Sequence, residues 1–291
     1  MMKRLCTLLL IGWGFLSVEL SAASPTESGY LRVRRDLENR PRAMETAIAH
    51  FVGAKGVSVD LIGAVHVGEK SYYDSLNETF RHYDAVLYEL IAPEDRLVPK
   101  ADGPKSMVSQ FQDSIKNFLA LEFQLEQIDY SAKNMVHADV TPDVFFQSLH
   151  QKGQGIWTML GKLVLESLTE QQEDDPVQQM KLLLLLLRSD SKAKTYQLRA
   201  YLAENFGKVD DVVERLEGPI GEAIIANRNA KALSVLREQI RSGKKHFAIF
   251  YGAAHMPNME EHLLKDFHFK RQETRWLPAW WLAEPDVSSQ K

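Results

Sequence analysis

The chain has 291 residues, 45% of them hydrophobic and 25% charged, an ordinary globular balance. Its net charge of −4 excludes the basic footprint of a nucleic-acid binder. A single cysteine, Cys6, excludes a disulfide framework and a thiolate-based metal centre.

The first 23 residues read as a secretory signal. Lys3 and Arg4 precede an apolar core, Leu5 to Val18, and Ser21-Ala22-Ala23 supplies small residues for cleavage. The apolar run is too short to span a bilayer comfortably, so no stable membrane span is expected after cleavage, and the product is expected to be secreted or periplasmic. Without Lys3, Arg4 and Glu19 the chain carries 33 basic and 38 acidic side chains, net −5. Residues 24–291 contain no Pro/Gly/Ser-rich linker and are expected to form one domain.

In chain order, Tyr30–Arg34 alternates as a plausible edge strand, and Met44–Phe51 has the composition of a short helix or loop turn. Val57–Ala64 is a β-branched and apolar run that reads as a buried strand. Val67–His82 follows as a helix with Tyr72, Tyr73, Leu76 and Phe80 on one side. Ala85–Ile91 is a second buried strand, closed by Pro93. Strand, helix, strand predicts a right-handed βαβ unit and parallel strands covered on both faces.

From about residue 106 to 240 the sequence predicts mostly helix. The expected segments are Ser106–Gln127, Val144–His150 after Thr141-Pro142-Asp143, Ile156–Leu168, Val177–Arg188 with its six leucines, Ala193–Phe206, and Pro219–Ile240. Asn134–Val140 is a possible short strand within this region. Gly243 ends the last helix, the run His246–His255 (HFAIFYGAAH) reads as another buried strand ending in its histidine, and Arg271–Leu282 as a final strand. The expected fold is therefore α/β, with a mostly parallel central sheet, flanking helices and a large helical insertion.

Gly-x-x-His occurs three times, where composition alone supplies roughly half a match. Gly243–His246 precedes a strand and suits a helix cap. Gly63–His66 and Gly252–His255 each end an apolar strand and precede a helix, which places both histidines where ligands bind in parallel α/β sheets. There a glycine is expected to let the backbone turn tightly. Glu89, in the otherwise apolar LYELI run, needs a partner or a cation, because burying a lone carboxylate costs several kcal/mol. His66, His255 and Glu89 suit either a divalent metal with an open position or a general base with its orienting group, and spacing does not choose between them. Asp139 and Glu126 are weaker candidates, Asp139 because it suits a cap for the Thr141 helix as well as the crevice. His50, His82, His150, His262 and His268 read as surface or core.

Taken together, Gly63-Ala64-Val65-His66, Glu89 in its strand, Arg228-Asn229 in IANRNAKAL, and Gly252-Ala253-Ala254-His255 resemble the TraB/TIKI/GumN superfamily, related to erythromycin esterase-like and ChaN-like proteins. His137-Ala138-Asp139 before Thr141-Pro142 is similar to that family's Ala-Asp before a helix. The resemblance covers about residues 57–265. It implies that His66, Glu89, Arg228 and His255 form the site. TIKI-like members are metal-dependent proteases, which implies a peptide or small-molecule substrate and Mn, Co or Zn as cofactor. Erythromycin esterase-like members instead hydrolyse an ester with a His base. PrgY-like and ChaN-like members imply non-catalytic peptide or haem binding. The chain departs from the family's Glu-Arg-Asn, having Ala226-Asn227-Arg228-Asn229, so any role for a Glu two residues before Arg228 is lost.

Overall fold

The computed structural model describes residues 29–93, 119–150, 191–214 and 225–284. Its strands are β1 (Leu31–Arg35), β2 (Pro41–Val52), β3 (Ser58–Ala64), β4 (Val67–Gly68), β5 (Ala85–Tyr88), β6 (Glu122–Phe123), β7 (Met135–His137), β8 (His246–Gly252) and β9 (Lys270–Trp281). The helices are α1 (Lys70–Phe80), α2 (Gln124–Gln127), α3 (Pro142–His150), α4 (Ser191–Glu214), α5 (Asn227–Arg241) and α6 (Met256–Lys265). The signal-like segment and the six-leucine run lie outside the described residues, as do the segments expected at 156–168 and 177–188 and most of the one from Ser106.

Seven strands form one mixed sheet in the order β1-β2-β3-β8-β5-β7, with β9 also on β2. The half β3-β8-β5-β7 is parallel, and β2 runs antiparallel to β1, β3 and β9. Phe247 through Tyr251 of β8 are all buried, which is why β8 reads as an unbroken apolar run. Burying each such side chain contributes roughly 1.5–3 kcal/mol relative to leaving it exposed. α1 buries Tyr72, Tyr73, Leu76 and Phe80, the face its spacing marks, and Phe80 meets Phe250 edge-on with ring centres 5.0 Å apart. Helix α5 packs on β5 and α6 on β3.

Met44–Phe51 is not a helix or turn but the middle of the long strand β2. Met, Glu and Ala favour helix locally, yet β2 pairs with β9 along one edge while β1 and β3 share the other. Ladder bonds on both sides and a nearly continuous burial pattern outweigh a propensity of a few tenths of a kcal/mol per residue. Glu45 is tolerated in this interior because Arg32 and Arg34 of β1 pair with its two oxygens at 2.8 and 2.7 Å.

The helix expected to reach Gln127 also differs. Glu122–Phe123 forms a strand against Val67–Gly68, and the described helix that follows it is the short Gln124–Gln127. The buried guanidinium of Arg199 on α4 fastens this region. It donates to Leu119 O, Ala120 O, Glu69 Oε1 and Trp281 O at 2.6–3.1 Å. Within the region expected to be helical, β7 contributes an edge strand to the parallel half of the sheet.

Candidate functional site

The C-terminal ends of β3, β5 and β8 open toward the start of α5. Register pairs Ala64 with Gly252 and Gly63 with Tyr251, so the two Gly-x-x-His copies are offset by one residue. Neither Gly63 nor Gly252 has a positive φ. Their value is close approach, not a tight turn. A Cβ on Gly63 would stand 3.3 Å from Tyr30 O, and one on Gly252 would stand 3.4 Å from Glu89 Oε2. Gly243, at φ +95°, sits just past α5, as a helix cap requires.

Glu89 directly follows β5, and its own N–H extends the ladder to Phe250 O. Its Oε2 accepts the Gly252 N–H at 2.7 Å and its Oε1 accepts Arg228 Nη2 at 2.6 Å. Arg228, in the first turn of α5, donates Nε to Asp139 Oδ1 at 3.0 Å and Nη2 to Asp139 Oδ2 at 2.6 Å. Asp139, two residues past β7, is almost wholly buried and also accepts the Val140 N–H. It therefore serves the crevice, although part of its capacity goes to the backbone leading into α3. Sequence reasoning ranked it as a weak candidate for that reason.

His255 ends a short 3-10 segment (Ala253–His255) at the entrance of α6 and is buried. Asn229 fixes it. Asn229 Nδ2 donates to His255 O at 3.1 Å and to Asn258 Oδ1 at 2.8 Å, which orients the amide. Asn229 Oδ1 then faces His255 Nδ1 at 2.7 Å, and an acceptor there requires the proton on Nδ1. The Nε2 lone pair is left pointing at the site, 3.4 Å from Arg228 Nη1 and 3.7 Å from Glu89 Oε1. The sequence pattern contained Asn229 but suggested no role for it.

Burial raises the Glu89 pKa, but the charges of His255, Arg228 and His66 and the Gly252 N–H outweigh it and hold the group near 2. Burial pushes His255 down to about 4, with Glu89 opposing and Arg228 assisting. The imidazole therefore charges only below about pH 4, and at neutral pH Arg228 is the cation that keeps Glu89 ionised. Burial works against the Arg228 charge, yet Asp139 and Glu89 raise its pKa above the ordinary value. Two carboxylates against one guanidinium, beside a neutral imidazole, leave the buried group with a formal charge of −1.

His66 lies exposed two residues beyond Ala64, close enough for its charge to act on both Glu89 and His255. The structure thus gathers Glu89, Arg228 and His255 in direct contact and sets His66 at the rim. Glu126 is exposed on α2. His50 pairs with Asp60 and His262 with Asp266.

Among the described residues no group of three His, Cys, Asp or Glu side chains is gathered to hold a metal ion. The donor chemistry nevertheless fits one. Oε1 of Glu89 and Nε2 of His255, 3.7 Å apart, can both reach an ion at about 2.1 Å, and the net negative charge favours it. Asn229 supplies the outer bond that metal-binding histidines need. Among the described residues no helix is long and apolar enough to cross a membrane. No protein-family model matches this chain, and no curated protein matches it in sequence.

Proposed function

We propose that the chain is a secreted or periplasmic metal-dependent hydrolase, a peptidase of the kind its TraB/TIKI-like motifs suggest. The observation that carries this reading is the fixed Nε2 lone pair of His255 set 3.7 Å from Glu89 Oε1, in a buried group where Glu89 and Asp139 share the single Arg228 guanidinium. A buried excess charge requires a cation. Glu89 and His255 would hold a divalent Mn, Co or Zn ion, with His66 turning in from the rim as third donor. Bound there, such an ion polarises a scissile carbonyl and acidifies a water.

The protein's own groups do the rest. Asn229 keeps His255 in the tautomer that presents Nε2. Asp139 clamps the Arg228 guanidinium at two points, so that Nη1 faces the developing negative charge of a tetrahedral intermediate without reorganising. The Gly252 N–H holds the outer oxygen of Glu89.

A second reading has one observation in its favour. Arg228 Nη1 already occupies the lone-pair side of His255, which suits a metal-free ester hydrolase with His66 as base.

The deciding experiment is metal analysis of purified wild type beside His66→Ala and His255→Ala, followed by a fluorogenic peptide library with and without chelator. Stoichiometric metal in wild type, its loss in both variants, and chelator-sensitive cleavage support the peptidase. Turnover that survives exhaustive chelation transfers the assignment to the second reading. If His66→Ala keeps both metal and activity, the three-donor site is wrong.

A further inference from the structure

A second polar cluster lies at the opposite end of the sheet from Glu89 and His255. β3 and β8 begin there in register, with Ser58 beside His246. Asp60, two residues along β3, stands on the same face as Ser58, and His50 of β2 pairs opposite it. This is the face that α1 covers, since Phe250, four residues beyond His246, meets Phe80. At the C-terminal end of α1 a cavity of about 420 Å³ opens over these side chains, with His82, Tyr83 and Arg275 of β9 in its wall.

Asp60 is buried between two fully buried neighbours, Val59 and Leu61, and both its oxygens are taken. Oδ1 pairs with His50 Nδ1, and Oδ2 accepts the Tyr83 hydroxyl at 2.5 Å. Burial and the Asp60 charge push the Tyr83 phenol up, so that hydroxyl remains a donor. An ionised carboxylate only accepts, so the His50 proton sits on Nδ1 and Nε2 is left as a lone pair. Asp60 thus turns a histidine that lines the cavity into a fixed acceptor. The other groups can donate. His246 Nδ1 meets the Ser58 hydroxyl at 3.0 Å, which leaves Nε2 for the cavity. Arg275 stands 3.9 Å from Asp60, and among the described residues no hydrogen bond engages its guanidinium. Glu78, also in the wall, is held by Arg81 at 2.5 Å, so the formal charges of Asp60, Glu78, Arg81 and Arg275 cancel.

Several donors and one fixed acceptor match an oxyanion that itself carries a proton. We propose that this cavity binds inorganic phosphate, with Arg275, His246 and His82 donating to its oxygens and His50 Nε2 accepting its hydroxyl. At neutral pH free phosphate keeps a proton. A phosphate monoester, with a second pKa of about 6, has mostly lost its own, and sulfate has none. A site built to pair a donor rejects the analogue that lacks it. The cavity is separate from Glu89 and His255, and the assignment does not depend on the hydrolase reading.

The test is calorimetric titration of the whole purified chain at neutral pH with inorganic phosphate, phenyl phosphate and sulfate. Phosphate should bind at least about tenfold more tightly than either competitor, the worth of one hydrogen bond to a charged group. Arg275→Gln, at an exposed position, should weaken phosphate and sulfate alike. His50→Phe should weaken phosphate alone, down to the level of sulfate. Should His50→Phe fail to fold, imidazole nitrogen NMR of wild type decides: phosphate should shift the His50 Nε2 signal and sulfate should not. The proposal is overturned if phosphate does not bind at millimolar concentration, or if sulfate or phenyl phosphate binds as well as phosphate does. A His50→Phe variant that still discriminates like wild type overturns it too, as does an unmoved His50 signal.

Discussion

Arg228 and Asp139, 89 residues apart in sequence, meet as a two-point ion pair in which the carboxylate is almost wholly buried. Removing one partner of such a pair leaves an uncompensated buried charge. Asp139→Ala should therefore cost about 3–5 kcal/mol. Replacing both partners, as in Asp139→Ala with Arg228→Met, should recover part of that loss while abolishing function. Urea denaturation of the single and double variants measures both effects. A double-variant loss equal to the sum of the two single-variant losses would mean that the pair is not energetically coupled.

Acid should destabilise the fold in two steps. His255 has a folded pKa near 4, below its ordinary 6.5. Above 6.5 the folded and unfolded chains bind the same number of protons there. Between 6.5 and 4 the unfolded chain binds more, so stability falls with pH across that window, by on the order of 3 kcal/mol, and levels off below it. Glu89 is held near 2 against an ordinary 4.5, so its contribution is full above 4.5 and is lost as pH falls from there toward 2. His255→Gln should remove the upper step and leave the lower one. Unfolding free energies between pH 7 and 3 read this directly, and a wild-type profile flat from 6.5 to 4.5 would contradict the neutral, buried imidazole.

Asn229→Ala frees the His255 ring to take either tautomer and leaves Asn258 Oδ1 without its donor. If the site holds a divalent ion, its affinity should drop about 10- to 100-fold, the usual effect of losing an outer-shell partner. Competition titration with a chromogenic chelator gives that number. An unchanged metal Kd in a folded variant would show that Asn229 serves packing only.

How legible all this was depends on where the determining contacts lie. β3 and β8 stand out because both of their faces are covered, so that burial writes an unbroken apolar run into the sequence. Glu89 was visible as the one carboxylate in such a run. β2 was not legible. Its Met, Glu and Ala are helix formers, and only partners more than 200 residues away on β9 make it a strand. Asp139 was ambiguous for the opposite reason: Thr141-Pro142 offers it a local role, while Arg228, its true partner, is remote.

The long strand β2 has one further consequence, which concerns the order of synthesis. One of its edges is covered by β9, residues 270–281, far downstream in the chain. At ribosomal rates of about 5–20 residues per second, roughly 220 residues and ten to forty seconds separate the emergence of the two strands. Throughout that interval the nascent chain carries a long, apolar strand with an open hydrogen-bonding edge, the kind of template on which chains aggregate. Whatever guards that edge has to act until β9 is made.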